Sequence, residues 1–195
     1  MGNIHSVTKA FESLEEEIIL IKNKNQINNC KGLILPGVGS FDPAINNLYN
    51  TGLISDIKNW ISSGKSFLGI CLGLQLLFES SEEGSNNGLG VIKGHIKKIP
   101  VLHGQRIPHV GWCELLPTRK NKLLRDNEFN KWVYFVHSYH AVPKNNNFIA
   151  ANVRYGSEKL TAIIEKDNLF ACQFHPEKSG KTGEILLRRW LKSIE

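Results

Sequence analysis

The sequence predicts an α/β domain, a mostly parallel sheet flanked by helices with antiparallel additions in the C-terminal half. Three observations predict it. In the first half, short apolar runs alternate with amphipathic stretches, the pattern of a parallel sheet covered on both faces. In the second half, short strand-like runs follow one another, separated by Asn, Gly and Lys. The composition, 195 residues at 41% hydrophobic and 22% charged, suits a single domain over residues 1–195 with one sizeable core. It excludes a disordered chain, a collagen-like fibre and a disulfide miniprotein.

The elements follow in order. Residues 3–15 carry Ile4, Val7, Phe11 and Leu14 at helical spacing. Ile18 to Ile21 reads as a strand. Gly32 to Leu35 reads as another, stopped by Pro36-Gly37. A helix starts near Asp42-Pro43, with Asp42 as N-cap and Pro43 in the first turn. Helical spacing continues after Gly52 through Ile54, Ile57, Trp60 and Ile61, and Gly64 closes it. Phe67 to Ile70 is a buried strand by composition, and Leu72 to Phe78 reads as a helix. The strand-like runs that follow are 91–99, 132–140, 148–155, 161–165 and 169–174, before a closing helix over 183–194.

Twenty-four basic against 18 acidic residues leave a net charge of +6. The excess is spread out. Its densest spots, Arg119-Lys120-Asn121-Lys122 and Arg188-Arg189, are not interleaved with aromatics, which suits a solvated surface or an acidic docking partner rather than a nucleic-acid groove. No apolar run approaches the roughly 18 residues of a membrane span, and the polar N-terminus lacks a signal-peptide pattern, so the expected setting is the cytoplasm. Cys30, Cys71, Cys113 and Cys172 show neither C-x-x-C pairing nor metal-ligand spacing, and are read as free thiols. No metal or cofactor is expected.

The stretch Gly69-Ile70-Cys71-Leu72-Gly73 carries the chemistry. A cysteine stands where a buried strand hands over to a helix, with glycine two residues before and two after. This is the nucleophile-elbow layout, in which small neighbours allow the sharp turn. The helix N-terminus would favour a thiolate, and adjacent amides would receive an oxyanion. The plain alternative is a buried structural cysteine. A thiolate also needs a base and an orienting group. His175 and Glu177, in Gln173-Phe174-His175-Pro176-Glu177, supply them if positions i and i+2 point to the same side at the end of a strand. Alone, this could be a solvent-exposed loop; with the elbow, the catalytic reading prevails. Pro36-Gly37-Val38-Gly39 follows a strand and precedes a helix. It lacks the third glycine or Gly-Lys-Ser/Thr of a nucleotide loop. It could present an N–H to an oxyanion, or be a simple tight turn. His5, His95, His103 and His140 read as surface or loop residues, and His109 and His137 as structural or substrate-lining.

These blocks, with Pro108-His109-Val110-Gly111-Trp112 and Tyr134-Phe135-Val136-His137-Ser138-Tyr139, resemble the class I (triad-type) glutamine amidotransferases. Within them they resemble the HisH family, the glutaminase subunits of imidazole glycerol phosphate synthase. The resemblance runs from Gly2-Asn3 to the C-terminus. It implies a flavodoxin-like fold and hydrolysis of L-glutamine to glutamate and ammonia. Cys71 would be the nucleophile, His175 the proton carrier and Glu177 its orienter. Gln75 and Glu83 would fix the amino-acid part of glutamine, with main-chain atoms near His137, Ser138 and Tyr139. Gly37 to Gly39 would complete the oxyanion hole. It further implies a (β/α)₈ cyclase partner, HisF, which receives the ammonia and makes imidazole glycerol phosphate and a purine precursor in histidine synthesis. Asn3, Trp112, Tyr134 and Lys178 would lie near that interface. No nucleic acid or membrane is implied.

The chain departs from the family in three places. Family members usually begin with an apolar strand followed by Asp-Tyr-Gly-x-Gly-Asn, whereas this chain begins Met1-Gly2-Asn3. The first strand is therefore expected to be missing, with the true start upstream of Met1. Cys113 stands where Asn is usual, and Val110 where Met is usual. Three other readings stay open on sequence alone. The chain could be a paralogue feeding ammonia to another acceptor such as a surface sugar, a non-catalytic partner-binding remnant, or, on charge alone, a nucleic-acid-binding domain.

Overall fold

A computed structural model describes residues 3–124 and 131–194. In chain order the elements are α1 (Ile4–Glu12), α2 (Lys24–Ile27), β1 (Leu33–Gly37), α3 (Phe41–Asn50), α4 (Ile54–Ser62), β2 (Phe67–Cys71), α5 (Leu72–Gln75), β3 (Ser80–Ser81) and β4 (Gly94–Lys98). There follow β5 (His109–Pro117), β6 (Trp132–His137), β7 (Tyr139–Pro143), β8 (Ile149–Tyr155), β9 (Glu158–Lys166), β10 (Leu169–Cys172) and α6 (Gly180–Leu191).

Seven strands form one sheet in the order β1-β2-β10-β9-β8-β5-β6, and β3-β4-β7 form a second. The α/β class is as expected, with a larger antiparallel share. In the larger sheet parallel pairing joins β1, β2 and β10, and the ladders from β10 to β6 are all antiparallel; in the smaller, β3 and β4 are parallel and β4 and β7 antiparallel. Strand β5 pairs with β6 over its first six residues and with β8 at its end. The β5–β6 pair thus extends from the sheet as a ribbon.

Strand β2 is buried throughout, as a central parallel strand should be. Its alternate side chains serve two cores. Leu68 and Ile70 pack with Val7 and Phe11 of α1 and with Leu186, Leu187 and Trp190 of α6. Phe67 packs with Phe41 and Ile45 of α3 and Ile57 and Trp60 of α4. Burying each such side chain contributes about 1.5–3 kcal/mol, which clamps β2 from both sides and fixes where its C-terminal end lies.

Four local expectations need correction. Ile18 to Ile21 forms no ladder among the described residues. Ile19 and Leu20 are exposed, because no neighbouring strand accepts their backbone there. The residue capping α3 is Ser40, not Asp42. Asp42 sits inside the first turn, where its carboxylate accepts the N–H groups of Ser85 and Asn86 at 2.9 and 3.0 Å. The helix after Cys71 stops at Gln75, since Leu77 and Phe78 bond carbonyls three residues back rather than four. The run 132–140 is split, with β6 ending at His137 and β7 starting at Tyr139. The expectation about the start concerns Met1, which lies outside the described residues.

Candidate active site

The parallel strands β1 and β2 end side by side, with Gly37 opposite Cys71. The chain turns there so sharply that Cys71 adopts φ 54°, ψ −109°. For a residue with a side chain such a backbone costs about 1–3 kcal/mol, so the surroundings must hold it. The two glycines explain how they do. A methyl group on Gly73 would stand 1.7 Å from the Leu35 carbonyl oxygen, and one on Gly69 would press on Leu74 N at 3.1 Å and Ala171 Cβ at 3.2 Å. The elbow closes only because both positions lack a Cβ.

Strand β10 runs parallel to β2 and delivers the following residues to the same end of the sheet. His175 stands near enough to Cys71 for the thiol to act on its ionisation, and its Nδ1 lies 2.7 Å from Glu177 Oε1. Both side chains of the His–Glu pair are almost wholly buried. The carboxylate does not reach the ring along a strand. Pro176 to Lys178 form a 3₁₀ turn that folds Glu177 back beneath the histidine. Burial opposes the imidazolium, but hydrogen bonds and charge from Cys71 and Glu177 outweigh it and push the His175 pKa up to about 9. The ring is thus set to hold a proton between a sulfur and a carboxylate.

The backbone of His175 is pinned as firmly. Its N–H donates to the Tyr134 carbonyl at 3.0 Å, while Ser179 Oγ donates to its carbonyl at 2.6 Å and accepts the Tyr134 N–H at 3.0 Å. The support expected from a helix N-terminus is small, because α5 is a single turn. Side chains surround the sulfur instead: besides His175, the buried Gln173 directs Nε2 at Cys71 Sγ, 3.7 Å away.

The other expected site residues divide into groups. Gln75 is buried beside the nucleophile, donating from Nε2 to the Tyr139 carbonyl at 3.2 Å and to Gln173 Oε1 at 3.1 Å. Glu83 accepts the Phe41 N–H at 2.9 Å, at the start of α3. Gly39, at φ 100°, has open space around it, whereas Gly37 packs against Leu72. The Ser138 carbonyl bonds Ile99 N. His137 is buried, with Nδ1 2.8 Å from the Tyr139 carbonyl and Nε2 3.0 Å from His109 Nδ1. Burial holds the pKa of His137 down to about 3, despite the hydrogen bond to Tyr139. Burial likewise lowers that of His109. Asn3, expected at a partner surface, is 3% exposed, and its amide lies 3.1 Å from His175 Nδ1, because the start of α1 packs on the 176–178 turn. Trp112 is half exposed, in edge contact with Tyr134 at 6.0 Å, and Lys178 is exposed.

Sequence reasoning missed Gln173 as a member of the site, although it stands two residues before His175 on the strand end that carries it. Alternation along that strand was the available signal. An open cavity of about 410 Å³ lined by Lys120, Asn121, Lys122 and Glu165 lies at the other end of the sheet and brings no nucleophile. All four cysteines are free. Among the described residues no helix is long and apolar enough to cross a membrane.

Comparison with known proteins agrees with this geometry. The family described as "Glutamine amidotransferase class-I" matches residues 1–193. The chain is 82% identical over 195 residues to "Imidazole glycerol phosphate synthase subunit HisH" of Prochlorococcus marinus subsp. pastoris, covering all of this chain and 95% of that one. The protein of the same name from a second Prochlorococcus marinus strain is 72% identical, with the same coverage. A solved structure described as "Crystal structure of glutamine amidotransferase" superposes with a TM-score of 0.71 at 18% identity, over 97% of this chain and 93% of that one. An elbow cysteine facing a carboxylate-backed histidine, on this sheet and with this degree of sequence identity, leaves one conclusion: the chain belongs to the class-I glutamine amidotransferases.

Proposed function

We propose that the chain is the glutaminase subunit of an imidazole glycerol phosphate synthase in histidine biosynthesis, acting as one domain over residues 1–195. The observation that carries this reading is the Cys71–His175–Glu177 constellation on a strained elbow. In the proposed reaction, Cys71 Sγ adds to the side-chain amide carbon of L-glutamine. The carbonyl oxygen gains negative charge and faces the Gly37–Gly39 segment and the amides after Cys71. His175 Nε2 passes its proton to the departing nitrogen, the C–N bond breaks, and ammonia leaves a glutamyl thioester. Water then adds to the thioester with His175 taking its proton, and glutamate is released. Glu177 holds Nδ1–H and so keeps the ring in one orientation through both steps. Both N–H groups of Gln75 Nε2 are already engaged, so its Oε1 is the atom left for the substrate ammonium. Glu83 adds negative charge nearby.

The ammonia is passed to a (β/α)₈ cyclase subunit, HisF. The exposed face of the β5–β6 ribbon supports a docking surface there. Val110, Trp112, Trp132 and Val136 are exposed on adjacent registers, and Tyr134 lies between them with its carbonyl bonded to His175 N. Trp112 and Tyr134 are the anchors, with Lys178 at the rim and Asn3 beneath, against the histidine. The test is glutamate release from the purified chain with and without the cyclase subunit and its acceptor. Release that needs the partner, and vanishes in Cys71→Ala while partner binding persists, is the expected result. Turnover that survives Cys71→Ala overturns the assignment.

A further inference from the structure

Gln173 is fully buried two residues before His175, and no part of the reaction described above uses it. Its orientation follows from a run of hydrogen bonds that begins at one carbonyl. The Tyr139 oxygen can only accept. It therefore requires a donor from His137 Nδ1 at 2.8 Å and from Gln75 Nε2 at 3.2 Å. Gln75 Nε2 has a second N–H, which reaches Gln173 Oε1 at 3.1 Å. That fixes the Gln173 amide, with its oxygen accepting from Gln75 and its nitrogen facing Cys71 Sγ at 3.7 Å.

On the far side of the same carbonyl the chain continues outward. A neutral His137 that donates from Nδ1 must accept at Nε2, so His109 donates from Nδ1 at 3.0 Å. His109 then accepts at Nε2 from the Cys113 thiol at 3.2 Å. Every proton in the run thus has one direction, set by an acceptor that cannot reverse. The amide that ends on Cys71 cannot flip without stranding Gln75 in a buried site.

We propose that Gln173 is a further catalytic residue of this reaction, a second donor to the nucleophilic sulfur alongside His175. The proposal rests on the site reading above. An N–H aimed at sulfur favours the anionic over the protonated form before attack. The same N–H acts again at the end. When the tetrahedral adduct of water and thioester collapses, the C–S bond breaks and its electron pair returns to Sγ. The charge stays on Sγ, where Gln173 Nε2–H donates a hydrogen bond to it; one proton of the water is on His175, and the other leaves with the new carboxyl group and passes to solvent.

The test is alkylation of Cys71 by iodoacetamide in the full chain, located by peptide mapping, across pH 6 to 9 as an order-of-magnitude window around neutrality. In Gln173→Met, which keeps the length and removes the donor, the rate near neutrality falls about tenfold and approaches the parent's at high pH. In Gln173→Glu, which keeps an acceptor for Gln75 and sets an anion beside the sulfur, it falls further. Parent-like rates and pH profiles in either folded variant overturn the proposal. In the unmutated chain the Gln173 side-chain amide proton resonance moves with pH in step with Cys71 alkylation. A resonance that stays still overturns it without any variant. Glutamine turnover surviving in Cys71→Ala would instead end the site reading itself. Loss there with unaltered Gln173 variants removes only the donor.

Discussion

Gly73→Ala places a methyl group where the protein has a carbonyl oxygen. The new Cβ would stand 1.7 Å from Leu35 O and 2.8 Å from Leu35 C, whereas ordinary contact begins at 3.4 Å. The obstacle is backbone in the middle of β1, not the tip of a flexible side chain. Strand β1 and the elbow must therefore part by roughly 1.7 Å, in an interior packed too densely to absorb it. Overpacking of smaller extent costs about 1–3 kcal/mol, so a loss of at least about 3 kcal/mol is expected in urea unfolding. The displaced pair also carries Gly37 and Cys71 opposite one another. A shift of about 1 Å at reacting groups costs about a hundredfold in rate, so glutamate release with the partner present should fall at least that far. Gly52→Ala is the control. Its φ is 68° and nothing lies within 4 Å, so only backbone strain opposes a side chain, at about 1–2 kcal/mol. A Gly73→Ala protein within about 1 kcal/mol of the parent and turning over normally would refute the account of the elbow.

Three further outcomes follow from the site. In an NMR titration the His175 ring should keep its proton through neutral pH and lose it as the pH rises through about 9, and Cys71→Ala should move that value towards 6.5 by removing one of the two partners that raise it. Glu177→Gln removes the other charged partner and should lower both the His175 value and turnover, the latter by about a hundredfold or more; unchanged turnover would dismiss the carboxylate as an orienter. Trp112→Ala should weaken partner binding by about 1–2 kcal/mol in calorimetry, with little change in thermal midpoint because the ring is half exposed; unaltered affinity would move the interface elsewhere.

The catalytic core was legible because its signals are local. An elbow compresses into five residues, since the sharp turn excludes side chains two positions either way, and His175 and Glu177 lie within one tight turn. The rest depends on distant partners. Gln75 meets residues 64 and 98 positions away, and Gln173 meets Cys71 across 102. No periodicity encodes such pairings. Asp42 shows the same limit: its sequence context fits a cap, but Ser85 and Asn86 compete for its carboxylate and prevail. Ile18 to Ile21 has strand composition, yet a strand exists only where a neighbour offers unpaired backbone. The β5–β6 ribbon was partly hidden because Gly111 and Pro108 interrupt its alternation, although the paired Trp112 and Tyr134 hold it in register.

Tyr134 joins two places usually treated apart. Its side chain belongs to the exposed ribbon, while both of its main-chain polar groups grip the histidine turn, the carbonyl directly and the amide through Ser179. Ribbon and histidine turn are therefore tied at a single residue. A load placed on that outer face would reach the turn through one residue's main chain, without having to cross the packed core.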